Sequence, residues 1–260
     1  MKRFITILIL GIAAYTSSAF AWGKLGHEVI IEVAKRHITE RTKKNIAKYM
    51  PYNITEDGSW MDYHRHDKEI GYTTSWHVYN VDENYEYDMN PRLYKGDVIL
   101  AMKVSDYNLT RLEKLTDSAV VMNVRCLIHF AGDMHCPTHS YVPGPRCFWP
   151  CELNGKKIKA FHSLYDYIPK DLHPNKTCVE IAAEIDNAKK SEIKRIQRGD
   201  FHDWANEIGK MNAIIYKWNP HNTEVLNPNT IELSRDLVNI QMRNAGYRLA
   251  HLLNRYFDHD

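Results

Sequence analysis

The stretch Cys126-Leu-Ile-His-Phe-Ala-Gly-Asp-Met-His-Cys-Pro-Thr-His139 carries three histidines and an aspartate within fourteen residues. His129 and Asp133 are four residues apart, so on a helix both side chains project from one face, a turn apart. The remaining side chains are mostly apolar. Burying an imidazole beside a carboxylate is costly unless the two groups pair or bind a metal. The stretch therefore predicts either a hydrogen-bonded pair in the core or a metal site, and further ligands elsewhere in the chain decide between them.

Such ligands recur on both sides of the stretch. His162 and Asp166 form a second pair at a spacing of four residues. Imidazole and carboxylate ligands without a spaced set of cysteines suit a hydrolytic zinc site better than a structural one. The set is larger than one tetrahedral ion needs, which predicts two or three ions with bridging carboxylates. The eight side chains are His27, Asp62, His77, His129, Asp133, His139, His162 and Asp166.

The first 21 residues have the pattern of a secretory signal peptide. Lys2 and Arg3 precede the apolar run Phe4–Tyr15, which is too short to span a membrane, and the segment ends in Ala19-Phe20-Ala21, a cleavage pattern. We therefore expect a mature chain of residues 22–260 that forms one domain, is secreted or periplasmic, and has no membrane span.

Cleavage at this position would supply one more ligand. The freed amine of Trp22 has an ordinary pKa of about 8, so a metal displaces its proton readily. The amine nitrogen and the carbonyl oxygen of the same residue can chelate one ion, and His27 lies close enough in sequence to reach that ion. The sequence therefore predicts Trp22 as a metal ligand.

The charge of the chain is balanced. There are 34 lysines and arginines against 32 acidic residues, and the loss of Lys2 and Arg3 leaves the mature chain formally neutral. Bulk charge therefore gives no sign of a polyanion-binding surface, and positive charge for binding phosphate would come from the metals. No interaction surface is evident, so we expect a monomer without a stable protein partner.

Helical periodicity dominates, and the predicted class is all-α, a single helical domain. Pro137 should end the central helix, Ser59 is a candidate helix cap, and residues 76–80 read as extended. The predicted helices are 24–36, 39–49, 97–105, 109–130, 161–167, 178–198, 201–218 and 231–257.

Five cysteines lie in the mature chain, and an exported protein can form disulfides. Cys147 and Cys151 are spaced to close a small loop. Because five is an odd number, at least one thiol stays free unless chains pair. Cys136 lies next to the predicted ligands, but we expect a disulfide or a free thiol there rather than a ligand.

The sequence resembles the S1/P1 nucleases, secreted zinc enzymes related in fold to the bacterial zinc phospholipases C. The matching segments cover nearly the whole of residues 22–260 and follow one another in the same order. They are Trp22-Gly-Lys-Leu-Gly-His27, Ser59-Trp-Met-Asp62 with Arg65, Trp76-His77, His129 to His139, His162-Ser-Leu-Tyr-Asp166 and Ala245-Gly-Tyr-Arg-Leu-Ala-His-Leu-Leu-Asn254.

The resemblance implies three zinc ions and a nuclease reaction. A hydroxide that bridges two ions would attack the phosphorus, Asp62 would orient or deprotonate that water, and Arg65 would pair with the phosphate. Single-stranded DNA and RNA would yield 5′-phosphate products, with 3′-nucleotidase activity as well. The implied ligand sets are Asp62, His77, His129 and Asp133 for one ion; Trp22, His27 and Asp133 for its neighbour; and His139, His162 and Asp166 for the third.

The chain departs from the family where the base of the substrate is bound. The family has an aromatic and an acidic residue where this chain has Val78 and Asn80. Stacking on an aromatic ring is worth about 1–3 kcal/mol, so base binding is expected to be weaker or relocated. Tyr79 or a tyrosine of residues 85–94 is the candidate replacement. Asn154-Gly155 is the candidate counterpart of a Gly-Gly-Asn loop of the family.

Two alternatives are weighed against the nuclease. One is a phospholipase C-type phosphodiesterase acting on phospholipids, and the other is a secreted zinc protein that has lost its activity. Asp166 as the last ligand, and the short interval from Trp22 to His27, favour the nuclease over the phospholipase. The presence of Arg65 argues against an inactive protein.

Overall fold

Helices form most of the chain in this computed structural model, which describes residues 22–88, 95–143 and 147–259. The predicted all-α class is therefore confirmed, whereas the predicted signal peptide lies outside the described residues. The α-helices are α1 (Gly23–Lys35), α2 (Glu40–Ile46), α3 (Trp60–His64), α4 (Val98–Leu109), α5 (Asp117–His135), α6 (Phe161–Leu172), α7 (Cys178–Ile185), α8 (Lys190–Ile196), α9 (Phe201–Asn212), α10 (Ile214–Trp218) and α11 (Thr230–Phe257).

Helix α5 runs through the centre of the molecule. Its first turn is capped by the side chain of Thr116, which accepts a hydrogen bond from the backbone N–H of Ala119. Every residue from 126 to 135 is buried. The helix ends at His135 because Cys136 is extended, as a residue before proline tends to be, and a 3-10 turn, Pro137–His139, follows. The break predicted at Pro137 is confirmed.

Helices α1 and α11 pack directly on each other. Gly246 in α11 makes this approach feasible, since a Cβ atom there would lie 2.5 Å from Cβ of Val33 and 2.9 Å from the carbonyl oxygen of Ile30. Packed protein interiors leave no space for a methyl group at such distances. Both helices also contact α5.

Two short strands follow two of the predicted ligands. Strand β1 (Tyr79–Asn80) begins two residues after His77, and β2 (Ser140–Tyr141) begins directly after His139. The two strands are parallel, with Asn80 opposite Tyr141. They therefore carry the chain away from these two histidines side by side.

A second strand pair, β3 (Cys151–Leu153) and β4 (Lys156–Ile158), is an antiparallel hairpin. Its turn is Asn154-Gly155, with φ values of 52° and 80°, which are the left-handed conformations that a two-residue hairpin turn requires. Both residues are exposed, and the Asn154 amide donates to the carbonyl of Pro228. This segment is an exposed hairpin tip, and its correspondence to the Gly-Gly-Asn loop of the family stays a prediction.

Several helix boundaries differ from the predicted ones. The predicted helix 178–198 is interrupted after Ile185. The next residue is Asp186, and its carboxylate accepts hydrogen bonds from Arg36, His37 and Tyr247. These are tertiary contacts that local periodicity does not record. Ser59 precedes α3 but makes no capping hydrogen bond with its side chain.

The five cysteines are free thiols, and no disulfide forms among them. Cys147 instead places its sulfur 2.8 Å from the hydroxyl oxygen of Tyr216, and Cys151 opens β3. Burial raises the pKa of the Cys147 thiol to about 12, so this group is protonated at neutral pH.

Within the described ranges, we find no helix with the length and apolar character that crossing a membrane requires.

Candidate metal centre

The eight predicted side-chain ligands come together in two groups, and each of these residues is at most 8% exposed. We call them the first group and the second group. The first group is His27, Asp62, His77, His129 and Asp133, and the second group is His139, His162 and Asp166.

Asp133 is the centre of the first group. One of its oxygens, Oδ1, lies 3.3 Å from Nε2 of His27. The other, Oδ2, lies 2.7 Å from Nδ1 of His77 and 3.2 Å from Nε2 of His129. The two oxygens thus face different histidines, which is the arrangement that a carboxylate bridging two ions requires.

Asp62 closes the other side of the first group. Its Oδ1 lies 3.8 Å from Nδ1 of His77 and 3.8 Å from Nε2 of His129. The residue is on the five-residue helix α3, which lies against α5. The short helix α3 thus places the carboxylate of Asp62 beside His129 of α5.

The second group is built where α5 ends and α6 begins. The turn after Pro137 directs His139 toward α6, and its Nε2 lies 3.8 Å from Oδ1 of Asp166. His162 lies one turn before Asp166 on α6, with Nε2 3.6 Å from the same oxygen. The two imidazole rings are stacked, with centroids 4.7 Å apart.

Backbone carbonyls orient two of the imidazoles. Nδ1 of His129 lies 2.8 Å from the carbonyl oxygen of Gly58, and Nδ1 of His139 lies 2.6 Å from that of His77. A ring nitrogen that faces a carbonyl must carry a proton, so Nε2 is the nitrogen of each ring that is available to a metal ion. Such outer hydrogen bonds are typical of histidine ligands in metal sites.

Gly132 makes room for His27. A Cβ atom at this position would lie 2.6 Å from Nδ1 of His27 and 2.8 Å from its Cε1. The carbonyl oxygen of Gly132 also accepts a hydrogen bond of 2.8 Å from the indole nitrogen of Trp22. The same residue of α5 thereby leaves space for His27 of α1 and accepts a hydrogen bond from Trp22, the residue before α1.

Trp22 is fully buried at the start of α1. Its φ of 43° is a left-handed conformation that costs a residue other than glycine about 1 kcal/mol or more. A chain that begins at Trp22 has no φ at this residue, so cleavage there removes the strain. The carbonyl oxygen of Trp22 accepts a hydrogen bond from the N–H of Gly26 and has a second lone pair free for a ligand role.

The two groups fit bound metal ions. Among the described residues, 17 buried side-chain nitrogen and oxygen atoms have no hydrogen-bond partner, and 11 of these belong to seven of the eight predicted ligands. Both oxygens of Asp62, Asp133 and Asp166 are in this set. Native proteins leave few buried polar atoms unpaired, so such a concentration at one place indicates cation binding.

Burial and neighbouring charges shift the pKa values of the ligands. Burial alone lowers the pKa of His129, but the carboxylates of Asp133 and Asp62 outweigh it and raise the pKa to about 9. Burial raises the pKa of Asp166 to about 7, against the opposing effect of His139. A cation among these carboxylates would favour their ionised form.

Two of the predicted substrate contacts, Arg65 and Val78, are partly exposed, and the third, Asn80, is buried. Arg65 is partly exposed just after α3, with its Nε 3.4 Å from Nε2 of His66. Val78 is partly buried, whereas Asn80 is 7% exposed with an unpartnered Nδ2. Tyr79, a candidate replacement for the missing aromatic residue, is fully buried and cannot stack on a base; that part of the prediction is wrong.

Sequence reasoning missed or underrated two residues at the second group. The sulfur of Cys136 lies within 4.8 Å of ligand atoms of His139 and Asp166. The ring of Phe148 stacks on His162 with centroids 4.8 Å apart and is 45% exposed. The position of Cys136 beside the ligands was a usable signal, whereas no local pattern points to Phe148.

An α-helical chain that buries two clusters of imidazoles and carboxylates with unpaired ligand atoms has the features of a metal-dependent hydrolase. Residues 22–258 match the S1/P1 Nuclease family, and the chain belongs to that family. The chain is also similar to Endonuclease 4 of Arabidopsis thaliana. The two sequences are 24% identical over 288 aligned positions, which cover 96% of this chain and 93% of that protein. The predicted resemblance is thereby confirmed, and the chain is a nuclease with nucleic acid as its substrate.

Proposed function

We propose that this chain is a zinc-dependent endonuclease that hydrolyses single-stranded DNA and RNA to 5′-phosphate products and also acts as a 3′-nucleotidase. We further propose that residues 22–260 form one secreted or periplasmic domain that works as a monomer. Family membership supports the nuclease, and the name of the plant relative supports internal cleavage.

The observation that most directly supports a metal-dependent reaction is the set of unpaired ligand atoms in the two groups. Three buried carboxylates and five buried imidazoles form a donor set that suits zinc. The first group, completed by the amine and carbonyl of Trp22, would hold two ions. The second group would hold one. Bound zinc lowers the pKa of a coordinated water toward neutrality and thereby supplies a nucleophile for the phosphorus.

The chain's own groups contribute the remaining steps. Asp62 has both carboxylate oxygens free of hydrogen bonds, so one of them can accept the proton of the attacking water. Arg65 follows three residues later and is partly exposed. Its guanidinium carries parallel donors suited to a phosphate that gains charge during the reaction. Neither role requires a covalent intermediate with the protein.

A substrate panel tests the proposal. The precursor is expressed with its own leader, the first residue of the product is determined, and zinc per chain is measured by mass spectrometry. Single-stranded DNA, RNA, a 3′-mononucleotide, double-stranded DNA and short-chain phosphatidylcholine are then assayed side by side. We expect turnover of the first three, a much lower rate on the duplex and none on the lipid.

The same panel separates the alternatives. Hydrolysis of phosphatidylcholine alone would identify a phospholipase C-type enzyme. A protein that binds its full complement of zinc but turns over no substrate would be an inactive zinc protein. Either result contradicts the proposal.

A further inference from the structure

We propose that the sulfur of Cys136 is a fourth protein ligand of the ion in the second group, which is then held by a thiolate as well as by imidazoles and a carboxylate. The inference rests on the proposed metal-dependent function. It adds a residue to the ligand sets that the family resemblance implies, none of which contains a cysteine. It also differs from the expectation that Cys136 forms a disulfide or stays a free thiol.

Cys136 lies at the bend between α5 and the turn that carries His139. Its backbone N–H donates to the carbonyl oxygen of Asp133 at 3.1 Å, and its own carbonyl oxygen accepts from the N–H of His139 at 3.0 Å. The residue is fully buried. Both backbone groups of Cys136 are thus tied to predicted ligands, one in each group. Such anchoring is what a preformed metal site requires of its ligands.

The sulfur of Cys136 faces the ligand atoms of the second group. It lies within 4.8 Å of a ligand atom of His139 and of one of Asp166, while Nε2 of His139 lies 3.8 Å from Oδ1 of Asp166. With a Zn–S bond of about 2.3 Å and a Zn–N bond of about 2.0 Å, two ligands of one tetrahedral ion are roughly 3.5 Å apart. The sulfur is therefore within about 1.3 Å of the separation that a shared ion requires.

The other ligand atoms at this point are unpaired. Nε2 of His139 and both carboxylate oxygens of Asp166 are buried without a hydrogen-bond partner. His139, His162 and Asp166 fill three positions of a tetrahedral zinc ion, and a fourth stays open. Cys136 is the further donor that the structure brings to the same place. Because zinc can expand to five ligands, a substrate oxygen could still bind.

Charge balance also favours a thiolate here. A zinc ion carries two positive charges, and Asp166 neutralises one of them. Burying the remaining charge would be costly, and both Cys136 and Asp166 are fully buried. A thiolate at Cys136 supplies the second negative charge, so the ion and its protein ligands are together neutral.

The surroundings of the sulfur suit a metal-bound thiolate. Burial and the Asp166 carboxylate raise the pKa of the Cys136 thiol, and the backbone N–H groups of Trp22 and Thr138 oppose this effect. Without an ion the thiol keeps its proton, which a binding metal displaces to the solvent. N–H groups directed at the sulfur then stabilise the thiolate, as outer hydrogen bonds do in other metal sites.

Cobalt substitution tests the ligand without any turnover. Zinc is removed with a chelator and replaced by cobalt, and the absorption spectrum is recorded. We expect a thiolate-to-cobalt charge-transfer band in the near ultraviolet for the wild type and its loss in Cys136→Ser, which keeps the size of the side chain. Cys178→Ser is the matched control and should keep the band, since Cys178 is a partly buried cysteine at the first residue of α7.

Metal affinity gives a second readout. Competition with a chelator should show that Cys136→Ser weakens the binding of one zinc ion about tenfold or more and leaves the other ions unchanged. Cys136→Asp restores an anionic ligand, so it should recover this affinity without the charge-transfer band. A residue that only fills space would not be rescued by a carboxylate.

A measurement on the unaltered protein keeps the test independent of how the variants fold. X-ray absorption at the zinc edge of the wild type should show a sulfur neighbour at about 2.3 Å. A spectrum with only nitrogen and oxygen neighbours would overturn the assignment of Cys136.

The outcomes separate the two proposals. A cobalt-loaded wild type without the band, or a band that persists in Cys136→Ser, would also overturn the ligand and leave the nuclease intact. Absence of hydrolysis of every nucleic acid in the substrate panel would overturn the proposed function, and the two spectra would still decide the ligand.

Discussion

Asp133 is the side chain on which the first group depends, because its two oxygens face three histidines from two directions. We predict that Asp133→Ala lowers bound zinc by at least one ion per chain and abolishes hydrolysis. Zinc is measured by mass spectrometry and activity on single-stranded DNA. Asp186→Ala, which removes a largely buried carboxylate from a structural hydrogen-bond network, should keep the wild-type zinc content. Full zinc content in Asp133→Ala would contradict the bridging role.

Trp22 gives the second prediction at the scale of a residue. A single glycine inserted before Trp22 moves the terminal amine away from the site. We predict that this chain loses one zinc ion and most of its activity. A glycine added after Asp260 is the matched control and should change neither quantity. Wild-type activity in the N-terminal extension would show that the amine is not a ligand.

Individual residues also mark the limit of what the sequence could predict. The two i,i+4 pairs, the three remaining histidines and Asp62, which lies fifteen residues before His77, were together sufficient to name all eight side chains that the structure brings together. The need for glycine at position 132 was not predictable, since it arises from a ring 105 residues earlier in the chain. Phe148 was missed for the same reason: its stacking on His162 is a tertiary contact.

Two glycines allow a comparison at the scale of the elements. Gly132 lies where α5 meets His27 of α1, and Gly246 lies where α11 meets α1. Alanine favours a helix over glycine by about 1 kcal/mol, whereas overpacking costs about 1–3 kcal/mol. We predict that Gly246→Ala lowers the free energy of unfolding by about 1–2 kcal/mol and leaves zinc binding unchanged.

Gly132→Ala, in contrast, should change zinc binding. The added methyl group would displace the imidazole of His27, so zinc content should fall. Urea denaturation and zinc analysis of both variants check the pair. A Gly132→Ala protein with full zinc content would show that the imidazole can shift without losing the ion.

The elements themselves were predicted unevenly. Long amphipathic helices such as α11 were identified by periodicity, and Pro137 correctly marked the end of α5. The parallel pair β1–β2 was not predictable as a pair, since two residues per strand carry no periodic signal and the partner lies 61 residues away. The break after Ile185 depends on partners of Asp186 that are distant in sequence.

The whole molecule is expected to depend on its metals for stability, because three carboxylates are buried in the two groups without hydrogen bonds. A ligand that binds only the folded state stabilises it by about 4 kcal/mol at a free concentration 1,000 times its Kd. For a domain of this size, each kcal/mol corresponds to about 2–4 °C in Tm. We therefore predict that a strong chelator lowers Tm by about 8–16 °C per site emptied.

Scanning calorimetry with and without the chelator measures this shift, and added zinc should reverse it. The Asp133→Ala variant is the control, since it has fewer ions to lose and should show a smaller shift. An unchanged Tm after complete removal of the metal would mean that the fold tolerates the uncompensated carboxylates.

The predicted metal ligands and the exposed Phe148 lie on different kinds of segment, and this has a consequence for how the protein can change. Most of the predicted metal ligands are on helices of the packed core, whereas Phe148 lies on the segment that connects β2 to β3 and is 45% exposed. A mutation of this residue disturbs little of the interior. The surface beside the second group can therefore change, or be engineered, while the hydrolytic machinery is inherited unchanged.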